Sequence, residues 1–366
     1  MNRRKIYHVK QYIGVCLFDV PRYLLWTLFS GREGWIRVRN RDEVVALESG
    51  RTGVRCPWQY SSALHAPRLV PWLGLLVYRR ALWAHPIRLV ESEFGNQWFS
   101  PCSRPDVSFV LGHHGRERLP NLLTTLRSVA AQVGAKVECI VVEMDGSPRS
   151  EGEVRSAGAR YLHVQTPEYG GLYNRSRAFN EGAVVARGEV IVFHDGDLLI
   201  PIDYARTCLS LVRDCYEVIN LKRFIFYLDK ASSRHIVVKR NDLQRVVYGL
   251  GIEQIIQNSG AGGSVAVTKD AYYRLGGFDE DFVGWGGEDS EFWDRAQQCR
   301  VYDYGLLPLI HLWHKPQRGK RAVRGMGLYT RQLYLEKLSL SAEERTRECA
   351  RRFEGRYLRD RVEQEI

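Results

Sequence analysis

Residues 189–201 read Glu189-Val-Ile-Val-Phe-His-Asp195-Gly-Asp197-Leu-Leu-Ile-Pro201. Val190 to Phe193 is an apolar, β-branched run with a turn after it, which predicts a buried strand. Asp195 and Asp197 follow at the carboxyl end of that strand, the edge of an open α/β sheet where ligands bind. Two carboxylates there suit a hard divalent cation, Mg²⁺ or Mn²⁺, that bridges a diphosphate. The alternative is an exposed Asp-Gly turn whose acids only cap and solvate it.

Strand and helix signals alternate around this segment. Strands are predicted over residues 106–111, 136–143, 160–165 and 189–194, and helices over residues 119–132 and 174–186. Pro201 predicts that the next helix begins at Ile202. This order of elements predicts an α/β fold, with a mainly parallel sheet flanked by helices.

A second acidic motif, Gly284-Trp-Gly-Gly-Glu288-Asp289, lies further along the chain. Its three glycines leave the backbone bare on either side of Trp285. A carboxylate in the first turn of a helix is stabilised by the helix dipole and the free N–H groups. The motif therefore suits an acidic group held beside an aromatic platform for a polar, ring-shaped substrate. A plain glycine-rich turn that leads into an acidic helix is the alternative.

Two histidines, His311 and His314, follow in an apolar segment. Histidine is the side chain that most often completes a metal site begun by an aspartate. Residues three apart can face one point on a helix or tight turn, although a lone histidine in such a segment is more often a core residue. We predict that at least one of the two is a metal ligand, with His314 ahead of His311.

In this order the motifs resemble the β-1,4-galactosyltransferase group, whose members are inverting, metal-dependent glycosyltransferases with the GT-A fold. The chain is more loosely similar to family 2 glycosyltransferases and to chondroitin-polymerase-type enzymes. The resemblance covers roughly residues 105–315 and is specific because four motifs recur in the right order. They are Asn174-Arg175-Ser-Arg-Ala-Phe-Asn180-Glu-Gly, Asp195-Gly-Asp197-Leu-Leu-Ile-Pro201, Gly277-Phe278 with Gly284-Trp-Gly-Gly-Glu-Asp289, and His311-x-x-His314.

The resemblance implies roles for the matching positions. Asp197 and His314 would bind the metal, and His311 occupies a position where the family often has a methionine ligand. Asp289 would be the general base that removes a proton from the acceptor hydroxyl. Glu288 would hydrogen-bond the donor sugar.

A donor-binding set is also implied, consisting of Arg116, Asp145, Arg175, Asp195, Trp285 and Gly287. Arg175 would lie near the diphosphate, Asp195 would support the ribose, and Trp285 would stack near both sugars. Related enzymes hold the uracil with the loop after the first strand and an acid after the second, which makes Arg116 and Asp145 candidates. The chain departs from the family at Val283 and Ser290. Both border the acceptor, so the acceptor need not be N-acetylglucosamine.

Composition is that of a folded soluble protein, since 45% of the 366 residues are hydrophobic and 26% are charged. The eight cysteines are scattered and form no C-x-x-C pair, which argues against structural zinc and a disulfide scaffold. The longest apolar stretch, residues 13–29, is interrupted by Asp19, Pro21 and Arg22, so no spanning helix is predicted. These features predict a cytoplasmic enzyme.

The first 100 residues carry 15 Lys and Arg against 7 Asp and Glu, most of the net charge of +11. Tryptophan and tyrosine are interleaved with these cations, a pattern that suits an anionic membrane surface. Peripheral contact with the inner face of the cell membrane would explain it, as would a small packed extension. Nucleic-acid binding is not predicted, because no signature of it accompanies the basic charge.

We therefore predict three regions: a basic, aromatic-rich N-terminal extension (1–100), a GT-A glycosyltransferase domain (101–318) and a helical C-terminal tail (319–366). The predicted activity is Mn²⁺- or Mg²⁺-dependent transfer of a hexose, such as galactose or N-acetylgalactosamine, from a UDP-sugar. The acceptor would be a hydroxyl of a glycan or lipid-linked saccharide. The alternatives are an inactive glycan- or membrane-binding protein on the same fold and a sugar-phosphate nucleotidyltransferase.

Overall fold

The computed structural model describes residues 17, 79, 81–91, 97–99, 102–165, 172–239, 243, 251–257, 262–284, 286–302, 305, 307–315 and 326–358. The predicted N-terminal extension, residues 1–100, therefore lies largely outside the described residues, and so does Trp285.

Strands and helices alternate through the first half of the described chain, as predicted. The strands are β1 (Val107–His113), β2 (Val137–Glu143), β3 (Arg160–His163), β4 (Val190–Asp195), β5 (Leu198–Leu199), β6 (Val218–Ile219), β7 (Lys222–Leu228), β8 (Ile252–Gln257), β9 (Ser264–Thr268), β10 (Val301–Tyr302) and β11 (Leu307–His311). The helices are α1 (Leu119–Ala130), α2 (Glu151–Ser156), α3 (Arg175–Val185), α4 (Tyr204–Arg213), α5 (Lys230–Lys239), α6 (Lys269–Leu275), α7 (Glu288–Ala296), α8 (Met326–Lys337) and α9 (Ala342–Phe353).

The four predicted strands correspond to β1 to β4, and the two predicted helices to α1 and α3. Helix α2 was not predicted. Helix α4 begins at Tyr204, two residues later than predicted. Residues 201–203 form a turn instead, in which the Tyr204 N–H donates to the Pro201 carbonyl at 3.1 Å.

Within the described chain the larger sheet has the strand order β10-β6-β9-β4-β1-β2-β3. Strands β4, β1, β2 and β3 are parallel neighbours, and β9 is antiparallel to both β4 and β6. This confirms the predicted mainly parallel sheet. A smaller sheet, β5-β11-β7-β8, was not predicted from the sequence. It joins segments more than 100 residues apart, which local patterns do not reveal.

The core lies on both faces of the larger sheet, because successive side chains of a strand point to opposite sides. In β1, Phe109 and Leu111 pack in the cluster that contains Leu122 of α1. Val110, between them, packs in the other cluster, with Phe179 of α3. Strand β4 is buried from Val190 to Phe193, as its apolar run predicts. The carboxyl ends of β1 and β4 are thus fixed by packing on both sides.

Helix α9 packs against the helix that begins with the acidic pair. Glu291 and Arg295 of α7 are fully buried and paired at 2.8 Å. Arg345 of α9 donates to Glu291 at 3.0 Å. Ser341 and Glu344 form a capping box at the start of α9. These contacts join the predicted C-terminal tail to the domain that carries the acidic motifs.

None of the helices in the described ranges is both long enough and apolar enough to span a bilayer. The six cysteines that the structure describes are free thiols.

Candidate active site

A pocket of about 350 Å³, here called the central pocket, lies at the carboxyl ends of β1 and β4. Its volume is within the roughly 300–1,000 Å³ of ligand sites. It brings together seven of the residues predicted from sequence, which are Arg175, Asp195, Asp197, Glu288, Asp289, His311 and His314.

At one end of the central pocket, the pairing of β5 with β11 brings Asp197, His311 and His314 together; these three residues are called the cluster. Strand β5 follows Asp197 directly, and Leu198 pairs with His311, the last residue of β11. The Leu312 N–H donates to the Asp197 carbonyl at 2.8 Å. The two histidines were expected on a helix or tight turn; instead His311 ends a strand and His314 lies in the loop after it. The pairing register of β5 and β11 therefore determines how close His311 lies to Asp197.

The cluster has the chemistry of a metal site. Ligand atoms of Asp197, His311 and His314 all lie within 4.8 Å of one another. The Nε2 atoms of His314 and His311 lie 3.1 Å and 3.7 Å from the two carboxylate oxygens of Asp197. The buried Asp197 Oδ1 has no hydrogen-bond partner within the described chain. One carboxylate and two imidazoles suit a divalent transition metal.

The environment of the cluster also fits a bound cation. His314 Nδ1 lies 2.9 Å from the Lys315 carbonyl, to which a proton on Nδ1 can be donated, and 3.1 Å from the Arg118 guanidinium, which requires the other tautomer. In the first tautomer the Nε2 lone pair faces the cluster, as in many histidine metal ligands. Burial would raise the pKa of Asp197, but His311, His314 and Arg118 outweigh burial and lower it. The Asp197 carboxylate is therefore ionised at neutral pH.

Arg118 is a residue of this end that sequence reasoning missed. Its guanidinium lies 3.1 Å from His314 Nδ1 and 3.6 Å from Asp197 Oδ2. Arg116, predicted from the same loop, is exposed and pairs with Glu153 at 2.6 Å. Residues 116–118 form one turn of 3-10 helix. The two arginines of this loop consequently have different partners.

The other end of the central pocket is the start of α7, where Glu288 and Asp289 occupy the first turn. Gly284, Gly286 and Gly287 before it have φ angles of 96°, 93° and 96°. Only glycine adopts such angles without strain. A Cβ on Gly287 would also lie 2.7 Å from the Phe282 ring. Gly284, Gly286 and Gly287 thus each adopt a backbone conformation that favours glycine, as predicted for this turn.

Arg175 connects the two ends. Its side chain is 13% exposed, and its guanidinium donates to Asp195 Oδ1 at 2.7 Å and to Asp289 Oδ1 at 2.5 Å. It also lies 3.4 Å from Glu288 Oε1. Asn174 caps the same helix by accepting from the Arg177 N–H at 3.0 Å. One guanidinium therefore fixes three carboxylates relative to the first turn of α3.

Glu288 is the most perturbed acid at this end. Burial raises its pKa to about 7, the neighbouring charge of Asp289 adds to the rise, and Arg175 opposes it. At neutral pH part of the Glu288 population is therefore protonated and able to donate a hydrogen bond. Asp289, by contrast, is 27% exposed in its side chain and lies at the open surface of the pocket.

The opposite wall of the central pocket includes Gly262 and Gly263. A Cβ on Gly262 would lie 3.3 Å from Asp289 Oδ2. Behind this wall, the amine of the fully buried Lys222 donates to the Ser264 carbonyl. Burial lowers the pKa of Lys222 to about 7. The sequence contains the double glycine as a possible signal for this wall, but nothing that marks Lys222.

Asp145, predicted with Arg116 as a uracil contact, does not line the central pocket. Its carboxylate lies 3.7 Å from Arg149, in the loop after β2. Gly287 takes part as the N-cap residue of α7, and Trp285 lies outside the described residues.

A metal-type cluster and an acidic helix start, at the carboxyl edge of a parallel sheet, were the features expected of a sugar transferase. The family "Glycosyltransferase like family 2" matches residues 108–304, more than half of the chain. The chain belongs to this glycosyltransferase family. The predicted enzyme class and the GT-A type of α/β fold are thereby confirmed.

Individual relatives of this glycosyltransferase are distant. β-1,4-galactosyltransferase 3 of Cricetulus griseus is 27% identical over 131 residues, 35% of this chain and 26% of that protein. N-acetylgalactosaminyltransferase 7 of Drosophila melanogaster is 25% identical over 243 residues, 58% of this chain and 40% of that protein. The chain thus spans less than half the length of these relatives.

Among solved structures, the chain is similar to a mannosyltransferase from Pyrobaculum calidifontis in complex with GDP-Man and Mn²⁺. The identity is 20%, the TM-score is 0.43, and the likeness covers 75% of this chain and 72% of that one.

Proposed function

We propose that this glycosyltransferase moves a hexose from a UDP-sugar to a hydroxyl of a glycan or lipid-linked saccharide, with inversion and with Mn²⁺ or Mg²⁺. One observation carries the proposal. The central pocket holds the Asp197–His311–His314 cluster at one end and the carboxylates of α7 at the other. A transferase needs both, because one end must hold the leaving group and the other must deprotonate the acceptor.

Asp197, His311 and His314 would hold the cation. When bound there, a divalent ion neutralises the charge that develops on the diphosphate as the glycosidic bond breaks. Arg118, beside the same cluster, has N–H groups that can donate to phosphate oxygens. This end of the pocket would therefore bind the donor diphosphate.

Asp289 is suited to be the general base. Arg175 donates to its Oδ1 and so fixes the plane of the carboxylate. Its Oδ2 faces the backbone of Gly262, where a Cβ would lie 3.3 Å away, and the side chain lines the central pocket. An acceptor hydroxyl has a high pKa and needs such a base within hydrogen-bond reach. A single base across from the leaving group gives direct displacement and inversion at the anomeric carbon.

Glu288 would hydrogen-bond the donor sugar. Its raised pKa allows the protonated carboxyl to donate to a sugar oxygen, while the ionised form accepts from a hydroxyl. Galactose or N-acetylgalactosamine is the proposed hexose, a choice supported by the names of the distant relatives.

The first test is release of UDP from a panel of UDP-sugars, with and without Mn²⁺. We expect slow, Mn²⁺-dependent hydrolysis of one UDP-sugar by the wild type, and its loss in Asp197→Ala. Asp214→Ala removes an exposed carboxylate of the same kind outside the central pocket and is the matched control. If no UDP-sugar is bound or hydrolysed in the presence of Mn²⁺, or if the Asp197 variant keeps its metal response, the proposal is wrong.

A further inference from the structure

A second and larger cavity, here called the C-terminal cavity, has a volume of about 920 Å³. Its wall includes Asp279, Glu280, Asp281 and Val283 together with residues of α8 and α9. Among the residues that the structure describes, none lines both this cavity and the central pocket. The chemistry proposed above makes no use of it.

This cavity lies beside the carboxylate end of the central pocket rather than the metal end. Val283 lines the C-terminal cavity, and the next residue, Gly284, lines the central pocket. Helix α8 gives a second link. Tyr329 lines the cavity, whereas its neighbour Thr330 packs on the turn before Glu288, where a Cβ on Gly287 would lie 3.1 Å from the Thr330 carbonyl. The linings of the cavity and of the carboxylate end are therefore adjacent along the chain at Val283 and Gly284.

The charged groups around the cavity are paired with one another. Its lining includes three carboxylates and two guanidinium groups, those of Asp279, Glu280, Asp281, Arg352 and Arg356. Asp279, which is almost fully buried, pairs with Lys337 at 2.9 Å and with Arg352 at 3.1 Å. Glu348 in turn approaches Lys337 and Arg352. Such a wall offers hydrogen-bond donors and acceptors but no excess of positive charge, so it favours a hydroxyl-rich, neutral ligand over a polyanion.

Tyr329 adds an aromatic surface to this polar wall. The residue is 60% exposed, so its ring is accessible to a ligand. Tyrosine combines a flat apolar face with a polar tip, the combination that suits the C–H face and hydroxyl edge of a sugar ring.

We propose that the C-terminal cavity binds the saccharide chain of the acceptor, a neutral oligosaccharide whose terminal sugar lies at Asp289. The inference rests on the proposed function, because it places the acceptor at the carboxylate end. The cavity is at the upper limit of the roughly 300–1,000 Å³ of ligand sites, so it has room for more than one sugar ring.

The test measures binding of oligosaccharides of increasing length by calorimetry, in the presence of UDP and Mg²⁺. The probes are N-acetylglucosamine and glucose, each compared with its β-1,4-linked dimer and tetramer, and a hyaluronan tetrasaccharide as the polyanionic counterpart. We expect a neutral tetrasaccharide to bind more tightly than its monosaccharide. The ratio of the tetrasaccharide affinity to the monosaccharide affinity is the gain with length. In Tyr329→Ala we expect this ratio to fall by about three- to tenfold, the scale of one aromatic contact.

Leu335→Ala is the matched control, since Leu335 is on the same helix, is 57% exposed and does not line the cavity. It should keep the full gain with length. The inference is overturned if no neutral tetrasaccharide binds, if affinity does not rise with length, if hyaluronan binds best, or if both variants lose the gain equally. UDP release without any oligosaccharide, measured on the same wild-type sample, reports separately on the proposed function.

Discussion

At the metal end of the central pocket, Asp197 and His311 are positioned by strands that pair with each other. At the carboxylate end, Glu288 and Asp289 stand at the start of a helix, after a turn of glycines with positive φ. The first end is fixed by backbone hydrogen bonds within a sheet. The second depends on one side chain, Arg175, and on the absence of side chains from the turn.

This difference indicates which end is more sensitive to substitution. A sheet holds its register through many backbone bonds, so the loss of one neighbouring side chain moves the metal cluster little. The carboxylates of α7 repel one another and are compensated by a single buried guanidinium. Removing that guanidinium leaves the buried Glu288 and the partly exposed Asp195 and Asp289 without their shared cation, which is costly.

The largest expected effect comes from a substitution at the carboxylate end alone. Asp289→Asn keeps the shape of the side chain but removes the base, and we expect transfer to an acceptor to fall by about 10²- to 10⁴-fold. Mn²⁺ binding at the Asp197 cluster should be unchanged. Rate measurements with saturating donor, together with calorimetric Mn²⁺ titration, check both ends. A variant that retains transfer would exclude Asp289 as the base.

The second test removes the link between the ends. Arg175→Met leaves Asp195, Glu288 and Asp289 without their shared cation, so we expect the free energy of unfolding to fall by about 3–5 kcal/mol. Urea denaturation measures this change.

The control for Arg175 is on the same helix. Arg177 pairs with Glu181 at 3.5 Å across one helical turn, and Arg177→Met should cost less than Arg175→Met because Arg175 pairs with three carboxylates. Equal losses in the two variants would show that Arg175 is an ordinary helix residue and not the element that fixes the carboxylates.

The smallest expected effect concerns pH. The folded-state pKa of Glu288 is raised from 4.5 to about 7, so the folded protein binds this proton more tightly than the unfolded chain. The stabilisation is complete below pH 4.5 and is lost as the pH rises through 7. A tenfold difference in proton affinity between the folded and unfolded states corresponds to about 1.4 kcal/mol.

In Glu288→Gln this pH-dependent component should be absent. We therefore expect the stability difference between the wild type and the variant to change by about 1–3 kcal/mol across that range. Thermal unfolding at a series of pH values, without added metal, measures it. A constant difference would mean that Glu288 titrates normally.

The larger sheet was predictable because β1, β2 and β4 each contain an apolar run, residues 109–111, 139–142 and 190–193, with turn residues after the strand. The co-location of Asp197 with Asp289 was predictable from the resemblance and from the rule that ligands bind at the carboxyl edge. Both depend on information that is local in the sequence or carried by a motif.

The parts of the site that were not predicted from the sequence depend on contacts between distant segments. Arg118, and not Arg116, reaches His314, because a single 3-10 turn directs the two side chains to different partners. Lys222 is buried behind Gly263 only because β7 packs near the start of β9. No periodicity in the chain distinguishes such a lysine from a solvated one.

The buried contact of Arg345 with Glu291 has a consequence for where this enzyme can be shortened. A fragment that ended at residue 318, after the histidines, would contain every proposed catalytic side chain. It would nevertheless lose α9 and with it Arg345, so that Arg295 would be the remaining partner of Glu291 in this network. Glu291 lies one helical turn from Glu288, and we therefore expect the smallest active unit to extend beyond His314, at least through α9.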